Sequence, residues 1–129
     1  MNKTPDQANS KEVLEVINQA VLSKKAHDLV NLELKDLDNS ITDYFVICHA
    51  DSDVHVHAIA DEVLKQVRET LNENVFRKEG YQNAHWILLD YVDVVVHIFQ
   101  TAYREFYNLE SLWADAPQKS ITTEEPKEE

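Results

Sequence analysis

His85-Trp86-Ile87-Leu88-Leu89-Asp90-Tyr91-Val92-Asp93-Val94-Val95-Val96-His97-Ile98-Phe99 is the stretch whose reading decides the fold. Its two halves, 85–90 and 93–99, are dominated by branched and aromatic side chains and have the length of strands. The short link 90–93 makes them neighbours in one sheet. Two-residue hairpin turns need positive φ at both central positions, which glycine and asparagine tolerate, so Tyr91 and Val92 predict a longer or distorted connection. Period-two geometry places Trp86, Leu88 and Asp90 on one face and Ile87 and Leu89 on the other. If the second set meets helices, an aromatic and an aliphatic residue beside two carboxylates are left outward, a composition suited to a protein interface with a basic partner. The pattern alone leaves open a strand buried on both faces.

Working outward, Tyr44-Phe45-Val46-Ile47-Cys48 is an unbroken apolar run that predicts a central strand buried on both sides. Residues 29–34 (LVNLEL) alternate after Leu29 and predict a half-buried strand. Before it, Asn9 or Ser10 can cap a helix with Glu12 as the capping-box partner, and Val13, Leu14, Ile17, Ala20 and Val21 carry that helix to about Lys25. A second helix starts at Ser52. Its stripe is Val56, Ile59, Ala60, Val63, Val67 and Leu71, and Asn72-Glu73-Asn74 ends it. Gly80 falls in a polar loop, 77–83, where positive φ is expected. Tyr103, Phe106, Tyr107, Leu109, Leu112 and Trp113 keep helical spacing up to Pro117.

The order α-β-β-α-β-β-α predicts an α/β (α+β) fold, a mixed sheet flanked by helices. The expected organisation is a flexible start at 1–10, one domain over 11–117 and a disordered acidic tail over 118–129.

The chain holds 129 residues with 12 basic and 24 acidic side chains, for a formal net charge of -12. Such a field repels phosphate backbones over a Debye length of about 8–10 Å and disfavours direct nucleic-acid binding. It favours a basic partner. Cys48 is the sole cysteine, which fits a reducing compartment, and no signal or membrane span is visible. A cytoplasmic location follows.

Chemistry is hard to place on these residues. His49, His55 and His57 are the candidate metal ligands, but positions 55 and 57 diverge by about 200° on a helix. Asp51 with Asp53, and Asp90 with Asp93, are carboxylate pairs of the kind a two-metal phosphoryl-transfer site uses. No glycine-rich phosphate cradle precedes either pair, and both have ordinary explanations at a helix start and a turn. Cys48 reads as a buried hydrophobe. No metal or cofactor is expected.

Several segments resemble the ribosomal silencing factor family, also called Iojap-like. They are Lys24-Lys25-Ala26-His27-Asp28-Leu29-Val30, Ser40-Ile41-Thr42-Asp43-Tyr44-Phe45-Val46-Ile47, and His55-Val56-His57-Ala58-Ile59-Ala60-Asp61-Glu62-Val63. The most specific are the hairpin Trp86–Phe99 and Phe106-Tyr107-Asn108-Leu109-Glu110-Ser111-Leu112-Trp113. The resemblance implies a nucleotidyltransferase-like fold without the catalytic set. It also implies binding to the large ribosomal subunit through its ribosomal protein fourteen (uL14), which blocks subunit joining and damps translation when nutrients are short. The residues assigned to partner contact on this basis are Trp86, Leu88, Asp90, Tyr91, Asp93 and His97. Two departures stand out: Ala50 and Val54 replace a glycine and an arginine frequent in the family, and Val92 replaces a glycine at the hairpin turn. The rival reading is a divergent, magnesium-dependent nucleotidyltransferase. A homodimer of the free protein through the same apolar strand surface is a further expectation.

Overall fold

The computed structural model describes residues 8–38 and 40–122. The Asn9 side chain accepts the amide of Glu12 at 2.9 Å while the Glu12 carboxylate accepts the amide of Asn9 at 3.1 Å. This reciprocal cap starts α1 (Ser10–Ser23), which buries Val13, Ile17, Ala20 and Val21. One polar residue is buried with them. Asn18 pairs amide to amide with Asn31, at 2.8 and 3.0 Å, so both side chains are satisfied away from water.

Two strands follow, β1 (His27–Glu33) and β2 (Tyr44–Ala50), joined antiparallel with a register shift between His27 and Val30. The Ser52 hydroxyl accepts the amide of His55 at 3.1 Å and starts α2 (Asp53–Leu71), whose stripe Val56, Ile59, Ala60, Val63 and Val67 is buried. Asn72, left-handed at φ 56, ends it. Next come β3 (Arg77–Glu79), β4 (Trp86–Asp90) and β5 (Val94–Gln100), then α3 (Thr101–Tyr107), α4 (Leu109–Leu112) and β6 (Gln118–Ser120).

These strands form one six-stranded sheet in the order β3-β4-β5-β2-β1-β6. Only β2 and β5 run parallel, and they form the centre. The expected mixed sheet flanked by helices is therefore the fold. α1 and α2 cover one side, where Val46, Cys48, Ala50, Ile87, Leu89, Val94, Val96 and Ile98 join their apolar stripes. On the opposite side Val30, Leu32, Phe45, Ile47, Val95 and Phe99 are buried with Leu109 and Ala116. That side is roofed by the chain after Gln100 in place of a long helix.

Three expectations change. The loop 77–83 contains an edge strand, β3, because Arg77, Lys78 and Glu79 pair with Asp90, Leu89 and Leu88. The single helix expected over Tyr103–Trp113 is broken at Asn108, which turns left-handed (φ 48) and separates α3 from α4. Gln118–Ser120, expected in the disordered tail, pairs with Val30, Asn31 and Leu32 and fills the open edge of β1. The rest of that tail, 123–129, lies outside the described residues. Within the expected flexible start, Ala8 is buried and its amide donates to Glu73 at 3.0 Å, while residues 1–7 lie outside the described residues.

Among the described residues no helix is long and apolar enough to cross a membrane.

Candidate functional site

The alternation of β4 is realised in the sheet. Ile87 and Leu89 are fully buried under α1 and α2, and Trp86, Leu88 and Asp90 are half-buried on the opposite side. Across the ladder Trp86 faces Phe99, Leu88 faces His97 and Asp90 faces Val95. Directly opposed residues of an antiparallel pair share a face, so these six form one surface. β2 extends it, with His97 next to Ile47 and Phe99 next to His49.

An aromatic cluster organises this surface. The Trp86 ring stacks on Phe99 at 5.0 Å between centroids and meets Tyr107 of α3 at 4.6 Å. Contacts of this kind are each worth about 0.5–1.5 kcal/mol beyond the area they bury. The indole N–H of Trp86 donates to Nδ1 of His97 at 3.1 Å. Phe106, edge-on to Tyr107 at 5.0 Å, is 77% exposed, so α3 adds uncovered apolar area near the indole.

The rim is acidic but partly engaged. Asp90 Oδ1 accepts the amide of Val92 at 2.8 Å, and Oδ2 pairs with Arg77 at 3.3 Å. Arg77 also pairs with Glu79 at 3.3 Å. Asp93 is half-buried, and its backbone carbonyl accepts the amides of Asp43 and Tyr44. The link between β4 and β5 is distorted as expected. Val92 has φ 76, and the amide of Asp93 donates to the carbonyl of Tyr91 at 2.9 Å, the hydrogen bond and φ of a classic γ-turn. A β-branched residue in that region is strained.

Of the six residues assigned to partner contact, the fold gathers Trp86, Leu88 and Asp90 on one face and sets Asp93 beyond the turn. It separates the other two. Tyr91 packs toward the helix-covered side with its hydroxyl buried and unpartnered, and burial raises its pKa. His97 is 4% exposed and lies beneath the face. Its pKa is pushed down to about 3 by burial. The Tyr91 hydroxyl and Nε2 of His97 are both buried without a hydrogen-bond partner.

A second feature carries no local signal in the sequence. Beyond the ends of β2 and β5 an open cleft of about 960 Å³ is lined by Asp28, His49, Thr101, Arg104, Asn108 and Glu110, among others. Arg104 organises it, donating to the carbonyl of Asp28 at 2.7 Å and to Glu110 at 2.6 Å, with His49 Nδ1 at 2.9 Å. Burial, then the Arg104 charge, lowers the pKa of His49. Helical periodicity marks Arg104 only as polar, and two of its three partners, Asp28 and His49, come from distant parts of the chain.

The residues considered for chemistry are occupied locally. His55 bonds the carbonyl of Lys24 and His57 that of Tyr81, so the two diverge as their spacing predicts. Asp51 accepts from Thr101 at 2.6 Å, and Asp53 takes the amide of Val54. Cys48 is fully buried, its thiol pushed up to about 12 by desolvation. Among the described residues no group of three histidines, cysteines or carboxylates is placed to hold a metal ion.

A mixed sheet covered by two helices on one side, with a half-open aromatic strand on the other, defines an α+β domain. The model of the family described as ribosomal silencing factor during starvation matches residues 7–129, and the chain belongs to that family. A ribosomal silencing factor of Halalkalibacterium halodurans is 45% identical over 109 residues, 84% of this chain and 92% of that protein. A mouse protein named mitochondrial assembly of ribosomal large subunit protein 1 is 26% identical over 84% of this chain, which spans 48% of it. The crystal structure of a Chromobacterium violaceum protein superposes with a TM-score of 0.79 at 26% identity, covering 94% of this chain and 98% of that one.

Proposed function

We propose that this protein is a non-catalytic translational repressor of the cytoplasm. It docks on the large ribosomal subunit, at ribosomal protein fourteen, and keeps the small subunit from joining when nutrients are limiting. The observation that carries this reading is the half-open face of β4, where Trp86 and Leu88 supply apolar anchor area beside Asp90 and Asp93. Family membership and the mouse relative's name, which speaks of large-subunit assembly, support a large-subunit partner. The net charge of -12 supports a basic docking surface. No bond is made or broken. A magnesium-dependent nucleotidyltransferase is the weaker reading, since Asp90 already serves the turn amide and Arg77.

The test is co-sedimentation with purified large subunits, paired with a subunit-joining assay. Truncating a central tryptophan anchor costs about 2 kcal/mol or more, so Trp86→Ala is expected to weaken binding roughly thirtyfold and to release subunit joining. Equal binding by a folded Trp86→Ala protein would refute the assignment of the face.

A further inference from the structure

The geometry points to His97 as the positioning residue of the docking face: it fixes the Trp86 indole from beneath as a neutral ring that accepts at Nδ1 and carries its proton at Nε2. This rests on the reading that Trp86 meets the partner.

The tautomer follows from hydrogen-bond chemistry. An indole nitrogen can only donate, so the His97 atom 3.1 Å away must offer a lone pair. A neutral imidazole with that lone pair on Nδ1 holds its proton on Nε2. Protonation would put a donor against a donor, and burial keeps the ring neutral at physiological pH.

The ring itself cannot turn away. Phe45 meets it edge-on at 4.5 Å, Phe99 lies parallel to it at 6.5 Å, and Leu88 and Ile47 are its register neighbours on either side. Its Nε2 is buried without a hydrogen-bond partner. A buried polar atom left unpaired opposes folding, so packing alone favours an apolar residue at this position. What an apolar residue cannot do is hold Trp86. Phe99 and Tyr107 stack against the indole, and the hydrogen bond selects which edge of it turns inward. An anchor already held in one rotamer loses less entropy on docking.

The experiment uses the full chain, 15N-labelled at tryptophan, and purified large subunits. In the wild type the indole resonance that disappears in Trp86→Phe is expected to be protected from solvent exchange. In His97→Leu it should lose protection, and affinity for large subunits should fall roughly tenfold, the size expected when one buried hydrogen bond that orders an anchor is lost. His97→Gln, whose carbonyl can accept, should recover both. Trp86→Ala with His97→Leu should bind no worse than Trp86→Ala alone, because His97 acts only through the indole. Additive losses in that double variant would overturn the proposal. So would an unprotected Trp86 indole in the wild type, a reading that needs no variant to fold. Weak binding by Trp86→Ala with full binding by His97→Leu would refute the positioning role alone. Full binding by Trp86→Ala would remove the docking face and this role with it.

Discussion

Gly80 lies so close to the backbone of Trp86 that a Cβ on it would stand 2.0 Å from the Trp86 carbonyl oxygen. The contact joins the loop before β4 to the first residue of that strand. It also explains why the chain's single glycine sits there, at φ 88.

Gly80→Ala is therefore expected to be destabilising by about 2 kcal/mol or more, combining left-handed strain with a clash against backbone that no side-chain rotation relieves. Urea unfolding of the purified variant measures it. Because the displaced atom belongs to Trp86, its indole fluorescence should change in the folded state as well.

Val92→Gly should act in the opposite direction. The γ-turn strain of a β-branched residue, about 1–3 kcal/mol, outweighs the extra backbone entropy of glycine, about 0.5–1 kcal/mol. A net gain of about 1 kcal/mol raises the melting temperature by roughly 3–6 °C for a domain of this size. A scanning calorimetry trace with no rise would show the turn to be relaxed with valine.

The pH dependence of stability follows from His97. Its pKa in the folded chain, about 3, lies below the ordinary 6.5, so the unfolded chain binds the proton more tightly. The contribution is complete above about pH 6.5 and is lost as pH falls toward 3, with a slope of up to ~1.4 kcal/mol per pH unit. Unfolding free energies at roughly pH 7 and roughly pH 5, which span the upper part of this window, should differ less in His97→Gln than in the wild type.

Asp90→Asn separates association from folding. An amide oxygen can still accept the Val92 amide, and the lost ion pair to the exposed Arg77 contributes about 0–1 kcal/mol. Stability should hardly move. Association with large subunits should slow and become less sensitive to salt, which stopped-flow measurements at two ionic strengths would resolve.

The buried amide pair gives a prediction for the core. Asn31→Ala leaves the Asn18 side chain without its partner and should cost about 1–3 kcal/mol. Replacing both with leucine should cost less than the single change, as judged by their urea midpoints.

What the sequence made readable was local. The alternation in Trp86–Asp90, the unbroken run from Tyr44 to Cys48 and the caps at Asn9 and Ser52 each depend on residues within one turn or one strand, and the fold realises them all. The break at Asn108 was hidden because asparagine is compatible with both a helix interior and a left-handed stop. β6 was hidden because Gln-Lys-Ser has no strand pattern and becomes a strand only by finding β1. The resemblance assigns His97 to partner contact, and a period-two reading of β5 does not reveal that Phe45, Phe99 and Trp86 pack around it. Tyr91 follows the alternation to the helix side, and its place beside Asp90 in the sequence concealed that divergence.

The pairing of Val30 with Ser120 has a consequence for how the molecule is made. During synthesis β1 is made well before the strand that completes its edge, which follows every other strand of the sheet. The central parallel pair also waits, since Tyr44 finds Val94 only after α2 and the β3–β4 hairpin have been translated. Loop closure over such separations precedes its reward, so acquisition of the native sheet is expected to be slower than for a helical chain of equal length. Until β6 has been translated, the outer edge of β1 stays unpaired and open to other chains.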